Sequence, residues 1–125
     1  MMVNNPYAKY KEQSTSTASK EELTLMLYDG ALKFCNQAIV AAEGNQVEKT
    51  HNLIIRVQDI IEEFQITLDR KYEVSKDFDV MYEYIHRRLI EANTKKDPAI
   101  LEEIKELLRE FRDTWKEAMT IAKRR

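Results

Sequence analysis

Between Leu101 and Ala122, the residues Leu101, Ile104, Leu108, Phe111, Trp115, Ala118 and Ala122 recur at alternating spacings of three and four. That period gathers side chains on one side of an α-helix and would scatter them over both faces of a strand. The run has helix-type boundaries. Asp97-Pro98 supplies a cap and a proline at the first helical position, and Lys123-Arg124-Arg125 places cations at the negative end of the helix dipole. A long helix with one apolar stripe must bury it against other elements, and that requirement limits what the rest of the chain can be.

The rest supplies matching partners. Leu53, Val57, Ile60, Phe64 and Leu68, flanked by Ile54 and Ile61, form a second stripe on a helix that starts after Asn45 and fades near Lys71. Phe78, Met81, Tyr82, Ile85, Leu89 and Ala92 form a third, with Ser75 as the expected cap and an end near Lys95. The first helix opens on Ser19-Lys20-Glu21-Glu22, a capping box, and runs to Gly44, expected to be its left-handed stop. Two glycines in 125 residues leave little turn material for a sheet. Short links between long amphipathic helices predict an all-α fold: an antiparallel up-down-up-down four-helix bundle over residues 19–125.

Residues 1–18 have a different character. Ser14-Thr15-Ser16-Thr17-Ala18-Ser19 carries no large apolar side chain and reads as a mobile strap. Ahead of it, Asn5-Pro6 starts a short helical turn that puts Tyr7 and Tyr10 side by side as a cap segment.

The first helix departs from the single-stripe rule. Leu23, Met26, Leu27, Gly30, Phe34, Ala38 and Ala41 share one face, and Leu25, Tyr28, Leu32, Cys35, Ile39 and Ala42 share another. Only Asp29, Lys33, Asn36 and Gln37 make a polar strip. One packing face needs about a third of a helix circumference. Either this helix sits between two neighbours, or part of its surface is a groove for an amphipathic partner. The groove candidates are Leu25, Met26, Tyr28, Leu32, Cys35 and Ile39. Ile55 and Ile66, eleven residues apart and nearly in line on the far side of the second helix, point weakly to another contact surface.

Several functions are disfavoured. Lys plus Arg is 20 and Asp plus Glu is 22, so bulk charge does not favour nucleic acid. No apolar run approaches the ~20 residues of a membrane span, and Met1–Asn5 lacks the blocks of a secretion signal, so a soluble cytoplasmic protein is the expectation. Cys35 lies within an apolar stripe, where a free thiol is a small buried hydrophobe. The two Glu-x-x-His motifs, Glu48 to His51 and Glu83 to His86, suggest a di-iron bundle but point away from their own stripes. Reflection through the second loop also sets His86 beside Ile60, roughly 13 Å along the axis from His51. No metal, cofactor or catalytic constellation is expected.

Three stretches carry a resemblance: Asn5-Pro6-Tyr7-Ala8-Lys9-Tyr10, Thr17-Ala18-Ser19, and the block Leu23-Thr24-Leu25-Met26-Leu27-Tyr28-Asp29-Gly30-Ala31-Leu32-Lys33-Phe34. They are similar to the N-terminal signature of the flagellar secretion chaperone family, FliS. Tyr82 to Asn93 and Phe111 to Ala118 resemble its later blocks. The resemblance implies a cytoplasmic chaperone, not an enzyme. It would bind the disordered C-terminal region of flagellin, prevent premature polymerisation and assist delivery to the flagellar type III export gate. The site residues expected from the apolar pattern are the six groove candidates with Ile55 and Ile66, and the tethered aromatic pair Tyr7 and Tyr10 is expected to form an N-terminal lid. The chain is expected to be a monomer or weak homodimer. The competing class is a self-associating bundle with a different helical partner.

Overall fold

The computed structural model describes residues 19–71 and 73–123. Four helices, numbered here in chain order, account for most of them: α1 Lys20–Glu43, α2 Val47–Thr67, α3 Ser75–Lys95 and α4 Pro98–Lys123. Among the described residues there is no strand. Packing runs in a ring from α1 to α2 to α3 to α4 and back to α1, as in an up-down-up-down bundle. The expected strap, with Tyr7 and Tyr10, lies outside the described residues.

The stripes read from the sequence form the core. Ile54, Val57, Ile60, Ile61, Ile85, Leu89, Leu101, Ile104 and Leu108 are fully buried. The α4 stripe is not buried along its whole length. Phe111 and Trp115 are half-buried and Ala118 is exposed. The indole of Trp115 already reaches Glu21, the second residue of α1, so the remainder of α4 extends past the end of its neighbour.

The two apolar faces of α1 resolve as two packing faces. Tyr28, Leu32, Cys35, Ile39 and Ala42 are buried, and so are Leu27, Gly30, Phe34, Ala38 and Ala41. From Leu27 to Ala42 the expected excess of apolar surface is taken up between α2 and α4, while Leu23, Leu25 and Met26 in the first turns stay half-buried. Small residues allow this: Gly30, Ala31, Ala38, Ala41 and Ala42 let both neighbours approach the α1 backbone.

Some boundaries shift. Ser19 caps α1 as expected, its hydroxyl accepting from the Glu22 amide at 3.1 Å. Asp97 also caps as expected, accepting from the Ala99 amide at 2.9 Å. Gly44, however, has φ −87°, and the left-handed residue is Asn45 at φ 58°. Asn tolerates that region because its short polar side chain can bond locally. Gly44 instead continues the last turn, its amide donating to the Val40 carbonyl at 3.0 Å. Ser75 is the first residue of α3 and Val74 occupies the cap position, without a side-chain bond. Helix α2 stops at Thr67, short of Lys71, with Leu68 extended at ψ 127°. No Gly or Pro marks this stop. The Arg70 guanidinium donates to the Gln65 carbonyl at 3.0 Å, filling an acceptor that a further helical turn would have used.

Candidate functional site

At one end of the bundle, α1 begins, α2 ends, α3 begins and α4 passes by. The helix axes leave a cleft of about 350 Å³ there. Its floor is aromatic. Tyr28 and Phe64 have ring centroids 4.5 Å apart, Phe64 and Tyr82 are at 5.5 Å, and Phe78 and Tyr82 at 6.0 Å. Phe111 closes the cluster from α4, 6.1 Å from Phe78 and 6.2 Å from Tyr82. Leu68, Val74 and Trp115 make the apolar walls, while Lys20, Glu21, Thr24, Thr67 and Asp69 make a polar rim.

Each wall has a sequence cause. Phe64 and Leu68 are the last members of the α2 stripe, and Phe78 is the first of the α3 stripe. Both run on to the ends of their helices, so their outer members line the cleft. The Trp115 indole N–H donates to the Glu21 carbonyl at 3.0 Å, which fixes the ring beside the first turn of α1. Arg112, one turn earlier, bonds Asp29 at 3.2 Å and Asp113 at 3.0 Å and ties α4 to α1 below the cleft.

Beneath the floor, the hydroxyls of Tyr28 and Tyr82 share a hydrogen bond of 2.8 Å. Burial, and then the facing Tyr82 hydroxyl, push the Tyr28 pKa far above that of an ordinary phenol. Burial also raises Tyr82. Both phenols are therefore neutral at physiological pH and work as a satisfied polar pair inside an apolar end. An apolar or aromatic side chain with a polar flank would fit such a cleft.

The sequence candidates are dispersed. Tyr28 lines the cleft. Leu25 and Met26 are half-buried in the same stretch of α1. Leu32, Cys35 and Ile39 lie deeper in the core, with the Cys35 thiol donating to the Leu101 carbonyl at 3.4 Å. They do not border the cleft. Ile55 and Ile66 are exposed on the outside of α2. The cleft is lined instead by Phe64, Leu68, Val74, Phe78 and Trp115, none of them a sequence candidate; all but Val74 are stripe positions, which read the same in mid-bundle and at an end.

The histidines are engaged elsewhere. His86 Nε2 meets Glu62 at 2.8 Å and His51 Nδ1 meets the Asn93 amide at 2.9 Å, both across the α2–α3 seam. Among the described residues, no three His, Cys, Asp or Glu side chains are grouped closely enough to hold a metal ion. None of the described helices is long and apolar enough to cross a membrane.

Comparison with known proteins accounts for nearly the whole chain. A family model described as "Flagellar protein FliS" matches residues 3–122. The flagellar secretion chaperone FliS of Bacillus subtilis is 43% identical over 119 residues, covering 95% of this chain and 90% of its own. FliSB of Pseudomonas aeruginosa is 35% identical over 106 residues, 83% of this chain and 84% of its own. FliS of Escherichia coli is 31% identical over 111 residues, 86% and 82% respectively. With a four-helix bundle and a match of this extent, the chain belongs to the FliS family of flagellar secretion chaperones.

Proposed function

We propose that this chain is a cytosolic chaperone that binds the disordered C-terminal region of flagellin, blocks premature polymerisation and assists delivery to the flagellar type III export gate. Family membership supports this reading. The structural observation that carries it is the aromatic cleft, an apolar recess among the described residues at one end of the bundle. A coiled-coil-forming tail has apolar stripes that self-associate when free. A recess lined by Tyr28, Phe64, Phe78 and Trp115 offers them a substitute partner.

Binding couples to folding of the tail. Apolar anchors seat first in the cleft, and the flanking tail condenses as helix on the neighbouring bundle surface, with Leu25 and Met26 beside the cleft as contact residues. Ordering the tail costs free energy that lowers the net affinity and keeps release reversible without a nucleotide. Tyr7 and Tyr10 belong to the same proposal. Ser19 adjoins Lys20 on the cleft rim, so the preceding segment is tethered where a lid would have to be.

Calorimetric titration of the full chain with the flagellin C-terminal segment tests the reading. One-to-one binding with a negative heat-capacity change is expected. Val74→Asp places a charge in an exposed cleft wall and leaves the core alone, and it should weaken binding at least about tenfold. A truncation lacking residues 1–18 should bind more tightly. No binding to the full chain, together with a concentration-dependent dimer, would replace the chaperone reading with self-association.

A further inference from the structure

A serine or threonine on a helix has two local uses for its hydroxyl. At the cap it accepts from an amide of the first turn, and inside the helix it donates to the carbonyl four residues back. Ser19 does the first. Thr24 and Thr67, both on the cleft rim, do the second, donating to the Lys20 and Glu63 carbonyls at 3.1 and 2.9 Å. Ser75 does neither. It stands one position past the cap, which Val74 occupies, and the chain four residues back is not helical. Ser75 is only 4% exposed, and among the described residues its hydroxyl has no hydrogen-bond partner. No fully enclosed side-chain oxygen or nitrogen among those residues lacks a partner, so the Ser75 oxygen keeps an opening. The open space that Ser75 lines is the aromatic cleft.

The other donors of the cleft wall are engaged. The Tyr28 and Tyr82 hydroxyls bond each other, and the Trp115 indole donates to the Glu21 carbonyl. Ser75 is left with a proton to donate, at the positive end of the α3 dipole, so the group it suits is an acceptor. Charge around the cleft selects the kind of acceptor. Lys20, Glu21 and Asp69 stand on the rim, and the first turn of α3 adds Asp77, with Glu73 paired to Lys76 at 3.2 Å. An anion would meet more carboxylates than cations. A cationic tip would have no lone pair for the Ser75 proton. Among side chains, the carboxamide of Asn or Gln combines a neutral carbonyl acceptor with N–H donors that suit an acidic rim.

We infer that Ser75 makes the cleft selective for a carboxamide: an Asn or Gln of the partner, set among apolar residues. Its carbonyl oxygen accepts from the Ser75 hydroxyl while its apolar neighbours lie against Phe64 and Phe78. The inference rests on the cleft being the binding site proposed above, and it adds the polar chemistry that this site reads.

The test uses the full chain and three small probes. Benzamide joins an apolar ring to a neutral carboxamide, benzoate carries the tip as an anion, and toluene lacks it. Binding is followed by NMR through the Trp115 indole N–H and the Val74 and Ser75 amides. Benzamide should bind saturably and more tightly than benzoate. Ser75→Ala should weaken benzamide at least about threefold and leave toluene unchanged, which shows that the cleft is intact. Ser75→Thr keeps the hydroxyl and should keep benzamide binding. Absent benzamide binding, tighter benzoate, or a Ser75→Ala effect that is nil or equal for benzamide and toluene would overturn the proposal. The flagellin C-terminal segment should displace benzamide. A segment that binds the chain without displacing it would overturn the flagellin reading of the cleft and leave the carboxamide preference standing.

Discussion

At the scale of single residues, two buried polar groups set testable energetics. The Tyr28–Tyr82 bond satisfies both hydroxyls inside an apolar end. Tyr28→Phe strands the Tyr82 hydroxyl and should cost about 1–3 kcal/mol in denaturant unfolding. The double change Tyr28→Phe/Tyr82→Phe removes both groups and should cost less than the sum of the two singles. Cys35 gives a pH dependence. Burial pushes its thiol from an ordinary 9.0 up to about 12. The folded chain therefore keeps a proton that the unfolded chain releases. Stability from this group is fully present below about pH 9 and is lost as the pH climbs toward 12. Urea midpoints between pH 8 and 11 should fall more steeply for the native chain than for Cys35→Ala. Tyr28 adds a further loss above pH 10 that is common to both proteins.

Among the elements, the α1–α2 turn separates what residue identity suggests from what the backbone does. Gly44 invites a left-handed assignment, yet Asn45 takes that conformation while Gly44 keeps a negative φ of −87° with ψ 8°. A β-carbon built on Gly44 would meet the Val40 carbonyl at 3.5 Å and the Ala41 carbonyl at 3.7 Å, both ordinary contacts. Gly44→Ala should therefore stabilise the protein by about 0.4–1 kcal/mol, mainly by reducing the freedom of the unfolded chain. A left-handed Gly44 would instead make the same change destabilising, so thermal unfolding of this variant decides between the two geometries. The other boundaries are legible to the degree that their caps are local. Ser19 and Asp97 act within three residues of themselves, so their residue types announce the helix starts. The stop of α2 at Thr67 depends on Arg70 reaching back to a carbonyl, and no residue type announces it.

For the molecule as a whole, binding in the cleft has an internal reporter. Trp115 is the sole tryptophan of the chain, and it forms one wall of the cleft. Saturation with the flagellin C-terminal segment should shift its emission to the blue as solvent leaves the indole. An unchanged spectrum at saturation would move the binding site off this end of the bundle. Taken alone, the sequence determined the helical class, the number of helices, three single stripes, the two apolar faces of the first helix and the family resemblance. Each of these is encoded in spacing along a single helix or in a local run of residues. Only the tertiary structure decided that both faces of α1 are core from Leu27 to Ala42, while Leu23, Leu25 and Met26 stay half-buried. The choice between a groove and a second packing face depends on which neighbours stand beside the helix, and the wheel of one helix holds no such information. It also placed the cleft, because Phe64, Phe78 and Trp115 are ordinary stripe residues until the described helices are brought together around it.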